Sequence, residues 1–175
     1  FATANFAPEP VTLTWSNTLK NPSITLSEGG IVATGGGSVH DVYLTATRDV
    51  SGGGKYYFEY RIDGGGSSSH YPCISTWDLQ PDDFASGFPC NTGGNTRQST
   101  WAIGNNAAYY ENLASPTGGS HPQLFGGDVV MMAIDFDNDK FWIGKNGAWD
   151  GSDDPASATG GYLIDHMTSP NFYAS

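Results

Sequence analysis

Asp135, Asp137, Asn138 and Asp139 crowd one short stretch of the chain. Oxygen ligands at such spacing hold calcium in loops that also place a glycine at the sixth position and a glutamate at the twelfth. Counted from Asp135, those positions hold Lys140 and Asn146, so the calcium-loop pattern fails and the stretch reads as a hairpin turn. A second acidic group, Asp150, Asp153 and Asp154, with Asp128 further off, would make a cation site only by converging with the first. No metal site and no cofactor are assigned.

Catalytic arrangements fare no better. Glycoside hydrolysis needs two carboxyls about 5–5.5 Å or 6.5–9.5 Å apart across a cleft, and Glu9, Glu28, Glu59 and Glu111 stand in no paired spacing. His40, His70, His121 and His166 are scattered singly, with no His-x-x-x-His or Cys-x-x-Cys spacing for zinc. None of the serines sits in a Gly-x-Ser-x-Gly elbow. The chain therefore reads as a non-enzyme.

The aromatic residues carry more. Tyr71, Trp77, Phe84, Phe88, Tyr109, Tyr110 and Trp149 lie in or beside segments that read as loops, with Asp78, Glu111 and Asn112 among them. Aromatic faces suit the apolar faces of sugars and peptide side chains, while neighbouring acids and amides take the hydrogen bonds. Tyr71, Trp77, Asp78, Tyr109, Tyr110 and Trp149 are the candidate ligand-binding residues. For any one of them the competing reading is packing beneath its own loop.

Short strands must position these side chains. Residues 11–15 alternate apolar and polar, Asn21-Pro22 marks a turn, and Ile24 and Leu26 alternate again before Gly29-Gly30. Residues 31–33 and 42–45 read as further strands. In KYYFEYRI (55–62), Tyr56, Phe58, Tyr60 and Ile62 fall on one face and Lys55, Tyr57, Glu59 and Arg61 on the other. That is the pattern of an antiparallel strand with one core face and one wet face. Residues 72–75 form a short strand, 78–100 an excursion loop, and 101–104 with 107–110 a hairpin. Residues 129–136 are apolar on both faces except Asp135, as in a central strand covered on both sides, and 141–143 return after the turn. No ten-residue stretch keeps a helical apolar face without a Gly or Pro break.

Composition bounds the class. The chain's 175 residues fit one domain, and 13% aromatic against 14% charged residues mark a folded core rather than disorder. The 24 glycines and 10 prolines fit many turns between short strands. A net charge of −11 repels nucleic acid phosphates and anionic lipid, which argues against both as partners. No run of about 18 apolar residues exists, so no membrane-inserting span is read. Cys73 and Cys90 are a candidate disulfide worth about 3 kcal/mol, the alternative being one buried and one loop thiol.

Two segments resemble signatures of the SPRY family. SGGGKYYFEYRI (51–62) has a Gly-Lys pair opening an aromatic strand, and GDVVMMAIDFDNDKFWIGKNG (127–147) runs from Gly-Asp through an Asp-rich turn to Lys-Asn-Gly. Trp101-Ala102-Ile103-Gly104 is similar to the family's middle strand and ITLSEGGIVAT (24–34) to its first hairpin. The resemblance covers roughly residues 11–175 and leaves 1–10 as an extended lead-in. It implies an all-β fold, an antiparallel two-sheet, jelly-roll-like sandwich whose loops present a recognition surface. The Gly-rich, Lys-poor style, with Asp153-Asp154-Pro155 after the last turn, is most similar to versions in bacteriophage virion proteins. This implies a tail-fibre, tail-tip or decoration domain on a virion surface or otherwise extracellular, part of a larger chain or oligomer. Its partners would be a host-surface glycan or receptor protein and neighbouring virion subunits. The alternatives are a peptide- or protein-interaction module and a filament subunit assembled by strand exchange. The family continues with at least one more strand past the segment resembling 169–174, so the domain is expected to lack its last strand or to borrow it.

Overall fold

The computed structural model describes residues 14–35, 42–44, 48–49, 54–64, 73–75, 100–103, 109–111, 123–164 and 171–174. These form fourteen strands: β1 (Trp15–Lys20), β2 (Ile24–Ser27), β3 (Val32–Gly35), β4 (Val42–Leu44), β5 (Arg48–Asp49), β6 (Lys55–Arg61), β7 (Cys73–Ser75), β8 (Thr100–Ile103), β9 (Tyr109–Glu111), β10 (Val129–Asp135), β11 (Lys140–Lys145), β12 (Ala148–Trp149), β13 (Tyr162–Leu163) and β14 (Asn171–Ala174). The described helical structure is limited to two single turns of 3₁₀ type, 28–30 and 155–157. The fold is an all-β antiparallel sandwich. One sheet runs β12-β11-β10-β6 with β13 also on β11, and the other runs β5-β14-β7-β8-β9. The pairs β1-β4 and β2-β3 stand beside them.

The first sheet shows why its sequence folds as it does. Along β6, side chains alternate between exposed and half-buried, as the period-two pattern requires. Tyr56, Phe58 and Tyr60 lie opposite Ile134, Met132 and Val130 of β10. On the far side of β10, Ile134 faces Phe141 and Met132 faces Ile143. These residues, with Ile62, Leu124, Phe136 and Ile164, make the core. Trp15 of β1 packs edge-on against Tyr60 at 5.7 Å. Each such apolar side chain, once fully buried, contributes about 1.5–3 kcal/mol. β10 is buried on both faces, as its unbroken apolar run predicts.

The strand read over 11–15 falls mostly outside the described residues, and β1 is described over Trp15–Lys20. Polar Ser16 and Thr18 hydrogen-bond to each other there, 3.2 Å apart, which hides the strand from a hydrophobic pattern. β14 has neighbours on both sides, pairing Asn171 with Asp49 and Tyr173 with Ser75.

Candidate functional site

The two motif segments meet at both ends of β10. At one end Asp128 accepts hydrogen bonds from the Phe125 N–H (2.7 Å) and from Asn146 Nδ2 (2.8 Å). Lys145 Nζ lies 2.8 Å from Asp128 Oδ2, the oxygen that also takes the Phe125 N–H, donates to the Gln123 carbonyl at 2.7 Å and sits 5.1 Å over the Phe125 ring. Asn146 in turn accepts from the Val129 N–H at 2.8 Å. Burial works to raise the Asp128 pKa, but the bonds from Lys145, Asn146 and Phe125 outweigh it and hold the carboxyl below its usual range.

At the other end Asp135, only 1% exposed, accepts from the backbone N–H groups of Asp137 (3.0 Å) and Asn138 (3.2 Å). It also takes Asn138 Nδ2 at 2.7 Å and Lys55 Nζ at 3.0 Å. Burial again pushes upward, and the Asn138 and Lys55 interactions overcome it to lower the pKa. Asp137 accepts from the Gly54 N–H at 3.0 Å. These acids close a hairpin turn and tie it to β6. Asp153 and Asp154 act likewise, accepting from the Gly161 and Ala156 N–H groups of their own loop. That loop seals Trp142, fully buried on the outer face of β11, whose indole donates to the Thr159 carbonyl at 2.9 Å.

Beyond this sealed region the outer face of the sheet carries an aromatic corner. Trp149 on β12 and Tyr57 on β6 meet edge to face, with ring centroids 6.0 Å apart and planes at 73°. Three strand intervals of about 4.8 Å separate their backbones, so both side chains must reach across the sheet. Gly144 makes this reach available: a Cβ there would lie 2.7 Å from the Ala148 carbonyl and 2.9 Å from the Trp149 ring. Beneath the meeting point Met131 and Ala133 are 6% exposed, so the rings help roof β10. Met131 Sδ also accepts the Gly147 N–H at 3.1 Å, fixing the turn that delivers Trp149.

Tyr57 remains 54% exposed. Its hydroxyl donates to Glu59, two residues on along the same face of β6. Burial, then the hydrogen bond to Glu59 and its charge, push the phenol up to about 12. Arg61 follows on that face and pairs with Asp63 at 2.5 Å.

Of the residues singled out by sequence, Trp149 therefore stands in a defined arrangement, on a strand rather than in a loop. Tyr109 and Tyr110 lie on β9, opposite Ile103 and Ala102, and Cys73 lies on β7 opposite Ala102. Tyr71, Trp77, Asp78 and Cys90 fall outside the described residues, and so does the candidate disulfide. The partner of Trp149 escaped the sequence reading. The available signal was a large aromatic, Tyr57, on the wet face of an alternating strand.

No protein-family model matches this sequence, and no curated protein matches it. Among solved structures, the chain is similar to the SPRY domain of human HERC1, with a TM-score of 0.62 at 15% identity, covering 91% of this chain and 86% of that one. The fold is that of a SPRY-type β-sandwich.

Proposed function

We propose that this domain is a non-enzymatic recognition module that takes a host-surface glycan and is displayed on a virion or other extracellular surface. The observation that carries the recognition role is the corner of Tyr57 and Trp149, an exposed aromatic held in a fixed pose on a cross-braced sheet. Such preorganised aromatics supply contact area at little entropic cost. Asp128 and Asp135 favour a non-catalytic reading. Both are lowered in pKa and engaged by backbone and lysine, which suits neither for general-acid work at neutral pH. The strongly acidic charge and the Gly-rich style of the sequence support the extracellular, virion-surface setting.

The test is binding of the isolated domain to an array of surface glycans beside a library of displayed peptides. Saturable glycan binding is expected. Peptide capture with no glycan binding would replace this reading with that of a peptide-interaction module.

A further inference from the structure

We infer that the ligand is a neutral pyranose, stacked on Tyr57 and read by Glu59 and Arg61 along β6. This rests on the glycan-recognition reading above and adds the class of sugar and its seat.

Tyr57, Glu59 and Arg61 share the outer face of β6 at alternate positions, about 6.8 Å apart per step, so they form one row of an aromatic, an acceptor and a donor. The row begins with an immobilised ring. Trp149 meets Tyr57 in a T-shaped contact, and Glu59 holds its hydroxyl, yet more than half of the residue faces solvent. A sugar that stacks there finds the phenol already oriented. Glu59 gives one carboxylate oxygen to Tyr57 and has a second for sugar hydroxyls. Arg61 uses Nε on Asp63 and keeps its terminal guanidinium donors.

The charge of the row selects against acidic sugars. Asp63 matches Arg61, no ion pair to Glu59 is found among the described residues, and the chain as a whole carries −11. Sialic, uronic or sulfated residues would meet like charge on this surface. A neutral ring loses nothing to that field, and its binding should change little with salt.

The experiment is titration of the domain with neutral hexose oligosaccharides and with sialylated, uronic and sulfated counterparts, by calorimetry at low and high salt. Tyr57→Ser and Glu59→Gln variants are titrated in parallel, with melting curves showing that each is folded. The neutral series should bind, the acidic series should not, and Tyr57→Ser should weaken binding about threefold to tenfold. Glu59→Gln should weaken the neutral series and lessen the discrimination against the acidic one. Acidic sugars binding as well as neutral ones would overturn the inference. So would neutral binding that both variants leave untouched, although the recognition role would then survive at another seat. If the unaltered domain binds neither series, the recognition reading falls with it.

Discussion

Replacing Asp135 by alanine tests whether the acidic turn is a fastener. The carboxylate is buried and accepts two backbone N–H bonds, one amide bond and one ammonium contact, all within 3.2 Å. A hydrogen bond to a charged group contributes about 1.5–3 kcal/mol, but neighbouring bonds are not additive and the turn N–H groups can rotate toward water. The net cost should be about 3–4 kcal/mol. At about 2–4 °C per kcal/mol for a domain of this size, melting should fall by about 6–16 °C. Lys55→Ala should cost no more than about 1 kcal/mol, because the lysine side chain is 56% exposed and its attraction is screened. Urea unfolding followed by tryptophan fluorescence and by circular dichroism measures both variants, and agreement of the two probes checks for a single transition. If Asp135→Ala stays within 1 kcal/mol of the parent, the turn does not depend on this acid. If Lys55→Ala is as costly as Asp135→Ala, the ion pair rather than the turn bonds holds the end of the sheet.

Three other outcomes follow from the same geometry. Asp128 and Asp135 have lowered folded pKa values, so their stabilisation is complete above the unfolded carboxylate value of about 3.9 and is lost as pH falls through the lower folded values. Unfolding free energy measured from pH 6 to pH 2 should therefore drop steeply below about pH 4, and a flat profile would contradict the assignment. Gly161→Ala puts a Cβ 2.4 Å from Trp142 Nε1 on a backbone with φ +74, and should cost about 2–4 kcal/mol with a changed near-ultraviolet signal. In an absorbance titration Tyr57 should ionise at about 12, and Glu59→Gln should bring that value down.

The parts of the fold legible in the sequence were those where one residue pattern had one physical solution. KYYFEYRI alternates because β6 has one buried and one wet face, and residues 129–136 run apolar because β10 is covered on both. The Asp-rich and Lys-Asn-Gly segments read correctly as turns, with Asp139 and Asn146 at positive φ. What sequence could not give was partnership. Asp128 and Lys145 are 17 positions apart and Gly54 and Asp137 are 83 apart, and nothing local announces either contact. Strands of two residues, such as β5, β12 and β13, are too short to show a period. Trp149 was visible as a candidate, but its pose depends on Gly144 and on Tyr57 across the sheet, which only register reveals.

The fastening of both ends of β10 also sets an order of folding. The β10–β11 hairpin closes through a turn of four residues, so it can form on the timescale of local hairpins, about 1–10 μs. Joining β6 to it means closing a loop of some 80 residues before Gly54 meets Asp137, a step whose entropic penalty grows only slowly with loop length. Substitutions within the hairpin turn should therefore slow folding, whereas loss of Lys55 should chiefly hasten unfolding. The same slow growth lets the connections that flank β7, β8 and β9 lengthen at little thermodynamic expense, while those three strands stay bound to the pairing of the second sheet. Length can thus vary between the strands while both sheets stay constant.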